Sequence, residues 1–386
     1  MLVYIPAICL VFLFTFYAEK VKNMYDNSKK KGYLAAFIAL VVGVFAVLFL
    51  VSGTRYGIGL DYFFTDNSNF NGLRDGVGEG YTEVLTNALA IAIINSGIEN
   101  PNLYFFGFFA FFTCMAYVIA IYINKDNKYI LPTFDLFFYM VFFTSMNQMR
   151  QSLGLAFGLL AFAIMYRWKN IWATLFSFAI IVIPILFHYS TILNFVPLII
   201  YLIIRKWNNK FNSRILMTVM CGLIAFAPIA FFVIKYTLPY IPVFNKYTYF
   251  FDPNFDNTAP GFVKFLASIA MFIVPLLNFI YCALNFENTD DHMIKMIMVI
   301  SGFNLFFMVF GVMMNSIIFA DRLKTFFYML EVIFIPYMFE KLPKGNRRMS
   351  YLALTCGVML IWTISTLPTC MLYPYRNIFF PDIIIY

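Results

Sequence analysis

Residues 33–51 read YLAAFIALVVGVFAVLFLV, a run of nineteen positions without a charge or a proline. As a helix rising about 1.5 Å per residue, such a run covers close to the 30 Å of a bilayer's hydrocarbon core. A helix on the surface of a soluble domain would need a polar face, and this run has none. It is preceded by residues 18–32, AEKVKNMYDNSKKKG, and by a second apolar run over 2–18. Two spans joined by a lysine-rich loop is the pattern this stretch predicts.

The same pattern recurs along the chain. Further apolar runs cover 102–124, 131–146, 151–166, 171–187, 190–204, 215–235, 262–284, 294–318, 324–339 and 350–371. The expected fold is therefore all-α and polytopic, with about twelve transmembrane helices in one domain over 1–386. The shorter run Tyr81 to Asn95 begins at Glu83 and is expected to lie in the interface as a helix that does not cross. Composition agrees: 62% of the 386 residues are hydrophobic, 12% are charged, and the mean hydropathy is +0.80. A soluble protein of this size has too little interior to hide so much apolar surface. The 50 phenylalanines are spread through nearly every run, as packing and lipid-facing mass require.

The formal net charge of +8 is placed beside the spans rather than gathered on one surface. With loop 19–32 in the cytoplasm and twelve spans alternating, 18 of the 27 basic residues fall on the inner side. That asymmetry is the positive-inside pattern and argues against a nucleic-acid partner. Loops 52–101 and 236–261 then emerge outside. The first run lacks a basic leader and a small-residue cleavage site, and reads as a retained helix. The six cysteines all lie in apolar runs and make no CxxC pair, and there are only two histidines, so neither a metal nor a disulfide framework is expected.

Polar residues that stand out gather on the outer side. Arg55-Tyr-Gly-Ile-Gly-Leu-Asp61-Tyr62 follows the second span, with two glycines that let the backbone turn sharply. Arg55 either snorkels to the interface, pairs with Asp61, or meets a ligand. Asn147, Arg150 and Gln151 are spaced to share a face if helical, either for helix–helix hydrogen bonds or for a wet cavity. His188 and Ser190 end an apolar run, where the imidazole either packs or transfers protons. Arg322 precedes the late span, and Lys324 beside it reads as an interfacial anchor. Three arginines on one side suit a phosphate group, since guanidinium is planar, always charged and bidentate. At the outer face that phosphate is expected to be the head of a lipid-linked sugar, whose departure needs no metal if cations are prepositioned.

These pieces, in this order over about residues 50–330, resemble the EpsG-like branch of the Wzy-type polysaccharide polymerases. Leu60 stands where that family usually carries a threonine or similar small residue. The resemblance implies a membrane glycosyltransferase of the GT-C type, acting without cofactor in the bacterial cytoplasmic membrane with its active site on the extracytoplasmic side. The growing glycan would leave undecaprenyl pyrophosphate and join the non-reducing end of a fresh lipid-linked repeat unit. Arg55, Arg150 and Arg322 would bind pyrophosphate. Asp61, His188 or Glu83 would act on the acceptor hydroxyl, with Tyr62, Asn147, Gln151 and Ser190 in support. A flippase and a chain-length-regulating copolymerase are the implied partners. A lipid-linked oligosaccharide flippase and an O-antigen ligase-like transferase share the arginine logic and are the competing readings.

Overall fold

The computed structural model describes residues 3–385 apart from 56, 60–66, 79, 125–129, 238–239, 241–260, 288, 314–316, 370–371, 373–374 and 378–379. It is a multi-pass helical protein. Among the described residues, seven helical runs are long and apolar enough to cross a membrane. The chain divides into two compact units, residues 1–192 with 366–386, and residues 193–365.

The first unit contains α1 (Tyr4–Ser28), α2 (Lys31–Gly53), α3 (Asn67–Arg74), α4 (Val84–Asn95) and α5 (Pro101–Ile123). It continues with α6 (Ile130–Phe137), α7 (Phe143–Asn147), α8 (Met149–Arg167) and α9 (Ile171–Ile185). The lysine-rich loop is short: Lys29 sits in the left-handed region at φ 55° and ends α1, and α2 starts two residues later. Packing runs α1 on α2, α2 on α5, α5 on α8 and α8 on α9. α8 is buried along nearly its whole length, whereas α1, α2 and α9 leave large apolar side chains such as Leu13, Val42, Leu50, Phe176 and Ile183 exposed. Patches of that kind suit contact with lipid rather than water. The run expected as a span over 131–146 is a helix throughout, with one π turn over Phe138–Phe142 joining α6 to α7. α4 has twelve residues, about 18 Å, and is too short to cross.

The second unit contains α10 (Phe195–Lys206), α11 (Ser213–Thr237), α12 (Gly261–Asn285), α13 (His292–Met313), α14 (Ile317–Tyr328), α15 (Glu331–Lys341) and most of α16 (Asn346–Thr369). α13 is its centre and packs against α10, α11, α12 and α14. The span expected over 324–339 is instead two helices, α14 and α15, separated by a turn at Met329-Leu330. Residues 321–324 accordingly lie inside α14 and not in a loop ahead of a span. Lys324, expected at an interface, is fully buried with its ammonium 4.6 Å from the Tyr328 ring. The buried ring face offers the cation a partner that an apolar wall would not.

The C-terminal tail pairs as a small antiparallel hairpin of β1 (Tyr375–Asn377) and β2 (Phe380–Ile385). It belongs to the first unit. Tyr375 donates its hydroxyl to Val51 O at 3.0 Å, and Tyr4 donates to Leu372 O at 2.7 Å.

Candidate active site

α4 begins where α9 ends, and the site is built on that junction. Leu85 N–H donates to Leu186 O at 3.1 Å, and the Thr86 hydroxyl donates to Phe187 O at 2.7 Å. The Tyr189 hydroxyl donates to Thr82 O at 3.2 Å. Backbone donors at the start of one helix and carbonyls beyond the end of another thus complete each other, which a dry environment demands. Glu83 is the residue before α4, in extended conformation, and His188 follows the last turn of α9.

That junction brings three side chains from distant parts of the chain together. Glu83 Oε2 accepts from Arg150 Nη1 at 2.8 Å, and Glu83 Oε1 lies 3.0 Å from His188 Nδ1. The carboxylate is 8% exposed, the arginine 13% and the histidine 24%, so the imidazole is the most open member. The Thr82 hydroxyl adds a bond to Oε2 at 3.3 Å. The Arg150 guanidinium also lies over the Tyr81 ring, 5.1 Å from its centroid. Tyr81 in turn stacks on Phe105, within a buried cluster with Phe106, Phe109, Leu153 and Phe187.

Burial alone would raise the Glu83 pKa. The hydrogen bond with His188, and after it the charge of Arg150, outweigh that and bring the carboxyl from 4.5 down to about 2. Glu83 is therefore a fixed anion near neutral pH, and a poor proton acceptor. It is well placed to orient an imidazole and to stabilise it when charged.

Arg150 does not share a helical face with Asn147. Gln148 (φ −101°, ψ 63°) interrupts the helix between α7 and α8, so the i, i+3, i+4 spacing fails there. Arg150 sits in the first turn of α8, with Gln151 buried beside it in sequence. Asn147 lies against a different element. Gly59, at φ +99°, comes so close that an added Cβ would stand 3.2 Å from Met146 O and 3.4 Å from Asn147 Oδ1. A side chain at Gly59 would be strained both by its backbone angle and by that contact.

Arg55 is buried just beyond α2, and its Nη1 donates to Ser52 O at 2.6 Å and to Ser52 Oγ at 3.0 Å. It thereby covers a carbonyl at the C-terminal end of α2, the negative end of the helix dipole. Ser190 is half-buried in the turn after His188. Arg322 is exposed in α14 of the second unit. Asp61 and Tyr62 lie outside the described residues.

Several residues escaped the sequence reading. The Tyr81 ring lies under Arg150, Thr86 ties the start of α4 to the end of α9, and Gly154 lets the turn carrying His188 approach α8. A tyrosine two positions before a singled-out glutamate is a weak signal, and a glycine in an apolar helix is weaker still.

A family model described as the EpsG family matches residues 38–377. No curated protein and no solved structure matches the chain. The match runs from within α2 to the C-terminal hairpin and takes in Arg55, Glu83, Arg150, His188 and Arg322. The chain belongs to the EpsG family, and with it to the membrane proteins of polysaccharide-polymerase type.

Proposed function

We propose that this protein lengthens a polysaccharide by moving the growing glycan from undecaprenyl pyrophosphate onto the non-reducing end of a lipid-linked repeat unit. In this reading about twelve spans of GT-C type cross the bacterial cytoplasmic membrane as one domain, the broken pair α14 and α15 together counting as one of them. Loops 52–101 and 236–261, and the site around Glu83, then face outward. The observation that carries the proposal is the contact of Glu83 with both His188 and Arg150 at the junction of α4 and α9.

With Nδ1 engaged by the carboxylate, His188 would exchange protons with substrate through Nε2. The acceptor hydroxyl gives its proton to Nε2 as its oxygen attacks the anomeric carbon of the donor. The bond from that carbon to the pyrophosphate oxygen breaks, and the electron pair leaves with the lipid pyrophosphate. Glu83 holds the ring in place and offsets the imidazolium charge, as the carboxylate of a histidine pair does in acyl transfer. Arg150 keeps Glu83 ionised and has further N–H donors for phosphate. Arg55 and Arg322 are proposed as the other pyrophosphate ligands, and Asp61, two residues after Gly59, as a second group that orients the acceptor. Tyr62, Asn147, Gln151 and Ser190 are proposed to line the site. The reading requires no metal.

The test is reconstitution of purified protein in liposomes with lipid-linked repeat units and no nucleotide sugar or metal. A ladder of longer lipid-linked glycans, lost in His188→Gln, is the expected result. Movement of the lipid across the bilayer without a ladder would replace the polymerase reading by a flippase, and transfer to a different acceptor would replace it by a ligase.

A further inference from the structure

α9 leads directly into the site. The His188 amide donates to Pro184 O at 2.9 Å, so the imidazole follows the last turn of the helix without slack. From residue 170 to residue 187 the chain carries no charge. Trp172, Leu175, Phe176, Val182, Ile183 and Leu186 are all exposed. Their spacings of three and four put them in one stripe along the helix, about 21 Å from first to last. The opposite face is buried and packs on α8, with the Ser177 hydroxyl donating to Ala161 O at 2.9 Å.

Both ends of the stripe are polar. At one end stand Arg167, which closes α8, and Lys169 in the loop after it. At the other, Leu186 O accepts the Leu85 amide, and the exposed Tyr189 gives its hydroxyl to Thr82 O, next to Glu83. Val84, on the other side of Glu83 in sequence, is exposed as well. The stripe therefore runs unbroken up to the Glu83–His188 pair. α1 and α2 also expose apolar side chains, but neither leads in sequence to that pair.

A bilayer gives an apolar chain little reason to leave lipid for a protein surface, so apolarity alone does not choose an occupant. Two features do. Arg150, the pyrophosphate ligand of the polymerase reading, lies at the polar end in contact with Glu83. A tail tethered by a head group held there begins beside Leu186, and tethering keeps it concentrated along α9 without further affinity. The second feature is shape. Ala179, exposed midway, leaves a notch between the larger pairs Leu175–Phe176 and Val182–Ile183. The methyl branches of a prenyl chain pack into such gaps, which a straight acyl chain leaves empty.

We infer that the exposed stripe of α9 is the docking lane for the polyprenyl tail of the lipid-linked substrate whose pyrophosphate lies at Arg150. The lane deepens the polymerase reading and rests on it for the identity of the lipid.

The experiment is photolabelling of the purified full chain in nanodiscs with polyprenyl pyrophosphate that carries a diazirine in its tail, followed by mapping of the labelled residues. The expected result is label concentrated on residues 172–186, severalfold above the exposed faces of α1 and α2. Excess unlabelled polyprenyl pyrophosphate should displace it, whereas polyprenol and phosphatidylglycerol should not. Ala179→Phe, which fills the notch, should cut the label severalfold. Label spread evenly over α1, α2 and α9, no label on α9, or equal displacement by polyprenol or phosphatidylglycerol would overturn the inference. Label unchanged in Ala179→Phe would do the same, and the competition decides if that variant does not fold. Head-dependent label on α9 in a protein that builds no ladder would sustain the lane and overturn the polymerase reading. A ladder without that label would overturn the lane alone.

Discussion

Gly154 and Thr191 are packed so closely that a Cβ on the glycine would stand 2.0 Å from Thr191 Cγ2 and 2.5 Å from Thr191 Cβ. Thr191 is not a bystander. Both its hydroxyl, at 2.8 Å, and its backbone N–H, at 3.0 Å, donate to His188 O. The glycine on α8 therefore sets how far the His188 turn can approach Arg150 and Glu83.

Gly154→Ala should push Thr191 outward, destabilise the protein by about 1–3 kcal/mol through overpacking, and reduce polymerisation more than lipid-substrate binding. Adding Thr191→Ser removes the nearer methyl and keeps the hydroxyl bond, so the double variant should recover part of both losses. A double-mutant cycle on unfolding and ladder formation checks this, and strictly additive effects would contradict the contact.

Replacing Glu83 by Gln leaves Arg150 buried beside a neutral amide and lets the His188 ring turn. Breaking a mostly buried pair from one side costs about 3–5 kcal/mol, so Glu83→Gln should lose both activity and stability. His188→Gln should lose activity with far less loss of stability. Similar stability losses in the two variants would argue against the division of labour proposed for them.

Arg150→Lys should fail as a conservative change. A lysine ammonium can reach a carboxylate, but it lacks the flat face that lies on Tyr81 and the extra donors of the fork. The expectation is a folded protein with little product, and Tyr81→Phe should be nearly silent because it keeps the ring. A marked loss in Tyr81→Phe would show that the hydroxyl, not the face, matters.

Stability should also depend on acid. The folded Glu83 carboxyl titrates near 2, against 4.5 as an ordinary glutamate, so its pairing stabilises the native state above about pH 4.5. That contribution should disappear progressively as pH falls from 4.5 toward 2. Unfolding midpoints measured across this window should fall less steeply in Glu83→Gln than in the wild type.

The C-terminal hairpin offers a fifth check. Tyr375→Phe removes one buried hydroxyl bond to Val51 O and should cost about 1 kcal/mol. Truncation before Leu372 also removes the bond from Tyr4 and should cost more, as read by protease resistance of the α1–α2 pair.

The spans were readable because lipid exposure imposes long apolar runs, and α1, α2, α5, α8, α11 and α13 fall where those runs lie. The split between α14 and α15 was not. Met329-Leu330 contains neither glycine nor proline, and the one mark of the break, the charged Glu331 that follows it, is easily passed over inside an otherwise apolar run. Glu83, Arg150 and His188 stood out as polar residues in apolar surroundings, but their pairing spans 67 and 105 positions and depends on α4 meeting α9. Asn147 and Arg150 misled for a local reason, since one backbone angle at Gln148 undoes a helical spacing that the residue types support.

The meeting of α4 and α9 has a further bearing on how the site lives in a membrane. Its loops are irregular backbone, which lipid tolerates only where each amide finds a partner. Leu85, Phe187, His188 and Thr191 all donate their amide hydrogens into this one knot of carbonyls. In hydrogen–deuterium exchange they should behave as a single protected block, opening and closing together. The site would then wait for its substrate as a dry, latched junction rather than as an open water-filled groove.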